Sequence, residues 1–176
     1  MRYIFSSPLS SFPLTGLFCL RQGEGMEKIF TLRPAIPQDA PILTRIASGA
    51  YSPYIPLMGR EPAPMGADYA SHIAQDICFV AVSDKQLVAF AVLISKADGW
   101  WLETIATAPD HQGKEAGAAL LAHCEQFLRA EGVSSYQLYT NEVMSGPYDW
   151  YLRSGFVETR RGTEDGFARI FMRKTL

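Results

Sequence analysis

The apolar positions of this chain switch between two spacings, and each switch marks an element. Ile29 to Arg33 suits a strand, which Pro34 ends. Asp39-Ala40-Pro41 then opens a helix, with Ile42, Leu43, Ile46 and Ala50 at helical spacing. Residues 51–65 hold four prolines and a glycine, so a loop is expected there. A second short helix is predicted over 68–77, with Tyr69, Ile73 and Ile77 on one side. The runs 78–82 and 87–94 are almost wholly apolar and flank Ser83-Asp84-Lys85. They read as a hairpin whose strands are covered on both faces. Residues 100–107 form a further strand, ended by Pro109, and simple alternation puts Glu103, Ile105 and Thr107 on one face. The clearest helix spans 116–131. Its stripe is Gly117, Leu120, Leu121, Cys124, Phe127 and Leu128, and Gly132 stands where a terminating glycine belongs. A strand over 134–140 and a short helix over 147–154, with proline in its first turn, come next. At the end, Ala168, Ile170 and Met172 alternate with Phe167, Arg169, Phe171 and Arg173, a strand with one polar face. The order β-α-α-β-β-β-β-α-β-α-β-β, with one strand unplaced, is that of a mixed α/β fold with helices on both faces of the sheet.

Residues 1–25 show neither spacing. Arg2 before a partly apolar run outlines a signal peptide, but serines, Pro8 and Pro13 break the run and no small-x-small cleavage site follows. Bulky Phe18 spoils Cys19 as a lipid-attachment site. The expectation is a disordered tail or an upstream start, followed by one domain over 26–176. At 48% hydrophobic and 19% charged, 176 residues can bury a core. Lys+Arg 16 against Asp+Glu 18 leaves a net charge of −2, which argues against a nucleic-acid backbone binder. Cys19, Cys78 and Cys124 are odd in number and lack CxxC spacing, so neither a disulfide framework nor a zinc site is expected, and a reducing cytoplasm fits. His72, His111 and His123 show no metal spacing; no metal is expected. No run reaches the roughly 18–20 apolar residues of a membrane span, so no membrane partner is expected.

The stretch that carries chemistry is 102–121. A strand ends, Pro109 turns the chain, and Gln112-Gly113-Lys114 runs straight into a helix. Free N–H groups and the positive dipole end at such a junction favour an anion. Gly113 permits close backbone approach, Gly117 permits close helix packing, and Lys114 adds positive charge. An ordinary strand-to-helix turn explains the same spacing. It is neither a Walker A loop nor GxGxxG, since no GKS or GKT occurs.

Gln112-x-x-x-x-Gly117 after the Ile105-Ala106-x-x-Pro109 strand end, followed by Tyr151-x-x-x-Gly155-Phe156, resembles the GNAT N-acetyltransferase superfamily. Arg33-Pro34-Ala35 with Asp39-Ala40 resembles its opening strand and helix. Tyr51-x-Pro-Tyr54, the run 59–65, Thr140-Asn-Glu-x-Met144 and the tail 164–174 resemble a bacterial branch of small stand-alone members. The resemblance implies a central twisted mixed sheet whose neighbouring parallel strands splay, here 100–107 and 134–140, with acetyl-CoA as co-substrate in the cleft. It implies that Ile105, Ala106 and Thr107 meet the pantetheine, that Gln112, Gly113, Lys114, Glu115, Ala116, Gly117 and Ala118 wrap the pyrophosphate, and that Asn141 adds an amide contact. It further implies Tyr151 as the acid for the leaving thiolate; Glu103 is a candidate base, with a salt-bridged carboxylate of the sheet as the other reading. The acceptor, a primary amine of a small molecule or peptide, would meet Tyr54, Arg60 and Glu142. The superfamily also allows a homodimer. Two departures stand out: Glu115 replaces a usual glycine, and Met144 and Pro147 occupy the usual places of an asparagine. These support the alternative of a catalytically degenerate acyl-CoA sensor; an adenine-nucleotide module of another fold is a third reading.

Overall fold

The computed structural model describes residues 16–20 and 28–176. Strands β1 (Gly16–Leu20) and β2 (Lys28–Pro34) precede helix α1 (Ala40–Tyr51), the single turn α2 (Ile55–Met58) and α3 (Tyr69–Gln75). Next come β3 (Ile77–Ser83), β4 (Gln86–Lys96) and β5 (Gly99–Thr107), then α4 (Ala116–Ala130), β6 (Ser135–Asn141), α5 (Ser145–Arg153), β7 (Val157–Glu164) and β8 (Phe167–Thr175). One sheet runs β1-β2-β3-β4-β5-β6-β8-β7, antiparallel throughout except for the parallel pair β5–β6. The expected mixed sheet is present, with α1 and α3 on one face and α4 and α5 on the other.

Each face closes around its own core. Leu120, Cys124, Phe127 and Leu128 of α4 are fully buried against Phe79, Ala91 and Leu138 from the sheet. Burying a Leu or Phe side chain contributes about 1.5–3 kcal/mol, so this stripe fixes α4 firmly. Opposite it, Leu43, Ile46 and Ala47 of α1 pack on Val80, Phe90 and Val92. Asp84 and Lys85 both take positive φ (50° and 64°), a turn whose twist matches the β3–β4 hairpin.

Three expectations are corrected. Part of the expected tail, residues 16–20, is a strand paired with β2; residues 1–15 and 21–27 lie outside the described residues. The expected loop over 51–65 is wound into short turns, 3-10 at Ser52–Tyr54 and Ala63–Gly66 with α2 between. Pro53, Pro56 and Pro64 fall in the first turns of these pieces, where a missing N–H costs nothing, and Pro62 precedes the last of them. The expected order holds one strand too many between the second and third helices, where the structure has only β3, β4 and β5; β7, to which no residues were assigned, is an exposed polar strand at the sheet edge.

Candidate functional site

The site begins where the parallel pair stops. β5 and β6 are paired only at Trp100–Tyr136 and Trp101–Gln137, although β5 continues to Thr107 and β6 to Asn141. Beyond these two pairs the strands diverge. The β4–β5 register passes from Leu93–Leu102 to Val92–Thr104, leaving Glu103 as the extra residue of a bulge. The bulge reverses the alternation. Trp100, Leu102 and Ile105 pack in the α4-side core, and Thr107 lies against Gly117 of α4. Glu103 turns the other way: its carboxylate accepts from the Tyr139 hydroxyl and the Lys96 ammonium, each at 3.0 Å. The expectation that Glu103 shares a face with Ile105 and Thr107 is therefore wrong.

Bond direction shows what the open edge offers. Ala108 N–H donates to Val88 O at 2.8 Å, so by antiparallel alternation the amide and carbonyl of Ala106 face β4. Those of Ile105 and Thr107 face the opening. Two side chains confirm the direction: the Tyr51 hydroxyl reaches Ile105 O at 3.4 Å, and Gln112 Nε2 donates to Thr107 O at 3.3 Å.

The opening is one cavity of about 640 Å³ that passes between the strands and reaches both faces. On the α4 side it is lined by Gln112, Gly113 and Glu115 to Ala118, with Trp150 and Tyr151 of α5. Gly113 has φ +71°, and the first turn of α4 leaves the N–H groups of Ala116, Gly117 and Ala118 without intrahelical acceptors. Ala119 N–H is the first to bond back, to Glu115 O at 2.9 Å. Glu115 itself has φ +67°, which accounts for the glycine usual at this point. Two buried polar atoms of the cavity wall, Thr140 Oγ1 and His111 Nδ1, have no hydrogen-bond partner among the described residues. Together with the open amides they fit an elongated ligand with an anionic end.

Tyr151 is 8% exposed, packs against Trp150 and Phe156, and faces the cavity. Burial pushes its phenol well above the usual tyrosine range. Tyr51 enters from α1; burial, then the neighbouring Tyr151, Tyr69, Tyr139 and Tyr54, raise it likewise. Tyr139 is pushed up to about 12, by burial first and then by the Glu103 charge.

Of the residues singled out in the sequence, Glu103, Ile105, Ala106, Thr107, Gln112, Gly113, Glu115, Ala116, Gly117, Ala118, Asn141, Tyr151 and Tyr54 line this cavity. Three do not. Lys114 turns its ammonium back to Asp110 O, Glu142 pairs with Arg161 at 3.7 Å, and Arg60 stacks 3.9 Å over Phe167 at the cavity's edge. Asn141 spends its Oδ1 on Val143 N–H, at 3.1 Å. Sequence reasoning missed the roles of Tyr51, Tyr139, Phe167 and Arg169 in the wall. The alternation of Arg169 with buried Ile170 was the one local signal for that row.

Among the described residues no group of His, Cys, Asp and Glu is clustered to hold a metal, and no helix is long and apolar enough to cross a membrane. The model of a family described as acetyltransferase (GNAT) domain matches residues 74–158. That stretch of the chain is similar to a GNAT acetyltransferase domain. That span runs from the end of α3 to the start of β7 and contains the open strand edge, the α4 mouth and Tyr151. No curated protein matches the chain at a significant level. Among solved structures, the chain is similar to a PaiA N-acetyltransferase from Thermoplasma acidophilum in complex with coenzyme A (18% identity, 84% of this chain and 99% of that one, TM-score 0.71). It is also similar to a GCN5-related N-acetyltransferase from Rhodopseudomonas palustris (21%, 82% and 94%, TM-score 0.71). A third likeness is to the ribosomal-protein-S18-alanine N-acetyltransferase from Escherichia coli (24%, 83% and 93%, TM-score 0.67). At these identities the likeness is one of GNAT fold.

Proposed function

We propose that the protein transfers the acetyl group of acetyl-CoA directly to a primary amine. The observation that carries this reading is the gap between β5 and β6, edged by the Ile105 and Thr107 amides and leading to the open first turn of α4. A pantetheine laid along that edge completes hydrogen bonds that β6 does not make. The α4 amides with Gln112 then face the pyrophosphate, where the helix dipole favours negative charge. Coenzyme A in the Thermoplasma structure supports the ligand class.

The chemistry follows from the two faces. The amine nitrogen attacks the thioester carbon from the α1 side and forms the C–N bond, moving the carbonyl π pair onto oxygen. The Ile105 N–H stabilises that oxyanion; one such donor is typically worth about 10²–10³ in rate. Collapse breaks the C–S bond. The sulfur takes the Tyr151 proton, and the surplus amine proton passes to Glu103, directly or through water, before solvent restores both groups. Burial raises the Tyr151 phenol, which favours its protonated form but makes it a weaker acid toward a thiolate of ordinary pKa about 8.5, so proton delivery is coupled to C–S cleavage. Cys78 and Cys124 are free thiols, in keeping with a reducing cytoplasm.

Tyr151→Phe tests the assignment. It should lower kcat by about tenfold or more with acetyl-CoA affinity nearly unchanged, since the loss is confined to proton delivery. Unchanged kcat removes Tyr151 from the mechanism. The wild-type rate should also show no alkaline decline from Tyr151 up to about pH 10.

A further inference from the structure

We infer that the acceptor is a small monoamine on an apolar or aromatic body, and not a polyamine or a peptide end; this rests on the acetyl-transfer reading above. The α1-side half of the cavity is walled by Tyr51, Tyr54, Met58, Pro62, Tyr139 and Phe167. Besides its tyrosines, its titratable lining groups are Glu103, Arg169 and His72, and all three are already paired. Glu103 is held by Lys96 and Tyr139, Arg169 bonds Glu164 and Asp165 (both 3.1 Å), and His72 pairs with Asp76 at 2.8 Å. Arg169, with a side chain 11% exposed, also stands 4.1 Å over the Tyr139 ring. A polycation needs several carboxylates, and here only Glu103 faces it, already shared with Lys96. An amine bearing a carboxylate needs a spare cation, and Arg169 is committed twice. Stripped of water, unmatched charges of either kind are strongly disfavoured, whereas aromatic faces accept one ammonium and an apolar body together.

The edge of this half-cavity limits length as well as charge. Arg60, between α2 and the turn at Ala63–Gly66, crosses to the β7–β8 turn. Its Nη1 donates to Asp165 O at 3.1 Å while its guanidinium covers Phe167. A Cβ on Gly166 would lie 2.9 Å from Arg60 Nη1, so the glycine leaves room for this strap. The strap joins two walls that an extended peptide would have to pass between.

The test uses the purified full chain, with calorimetry for acetyl-CoA and thiol release for turnover on 2-phenylethylamine, isoamylamine, spermidine and a hexapeptide with a free N-terminus. The expected result is a kcat/KM for one of the monoamines roughly tenfold or more above spermidine and the peptide. Phe167→Ala should raise the monoamine KM by a similar factor and leave acetyl-CoA affinity unchanged. Arg60→Ala should raise peptide turnover relative to the monoamines. Preference for spermidine or the peptide overturns the inference. So does bound acetyl-CoA with no turnover of either monoamine, and both outcomes leave the acetyl-CoA reading intact. Absence of acetyl-CoA binding removes that reading and the inference together.

Discussion

Position 115 joins two costs in one residue. A left-handed backbone is disfavoured for a side chain with a Cβ by roughly 1–2 kcal/mol. The residue also stands at the α4 N-terminus, where a carboxylate suits the helix dipole but repels a diphosphate. Glu115→Gly should therefore raise stability by about 1 kcal/mol in denaturant titration and tighten acetyl-CoA in calorimetry. Glu115→Gln separates the effects: tighter binding with stability unchanged. No tightening in either variant would place the pyrophosphate elsewhere. Single residues were legible as cavity lining where chemistry and chain position coincide, as at Gln112, Gly113, Glu115 to Ala118 and Tyr151. They were illegible where a distant partner decides. Lys114 and Glu142 have apt chemistry but are satisfied by Asp110 and Arg161, and Glu103 changes face because one inserted residue breaks the period.

Among the elements, β2 and α1 are tied by a single forked contact. Arg33 Nη1 and Nη2 bond Asp39 Oδ2 and Oδ1 at 2.7 and 3.0 Å, and Ile36 N–H donates to Oδ2 at 2.9 Å. Burial alone would raise the Asp39 carboxyl, but the Arg33 bond, the Ile36 amide and the Arg33 charge hold it below the usual range. A lowered acid stabilises the fold above its unfolded value, near pH 4, and loses that contribution as pH falls through the folded value. Asp39→Asn should thus cost about 1–3 kcal/mol near pH 7. The gap from wild type should close as denaturation is repeated from pH 6 down to pH 3; a gap independent of pH would assign the effect to packing. Helices with a broad buried stripe, α1 and α4, were readable because burial and period agree. The turns around α2 were hidden by their prolines, and β7 by its lack of any buried face.

Across the whole molecule, the mixed sheet and its helical covers could be read from the order of elements. The aromatic wall could not, because Tyr51, Tyr139 and Phe167 meet only once α1, β6 and β8 are docked. The same docking sets how force passes through the protein. Two backbone rungs stitch β5 to β6, and above them the strands are joined through side chains such as the Tyr139–Glu103 bond, a looser seam than a ladder unless something wedged inside takes hydrogen bonds from the exposed rim. Acetyl-CoA should then slow amide exchange at Ile105 and Thr107 far more than at Trp101, measurable by hydrogen–deuterium exchange with and without it. Uniform slowing along β5 would mean the seam was never loose. On this account the reactant is also a structural splint: the enzyme is stiffest just before the acetyl group leaves, and loosens again as spent CoA departs.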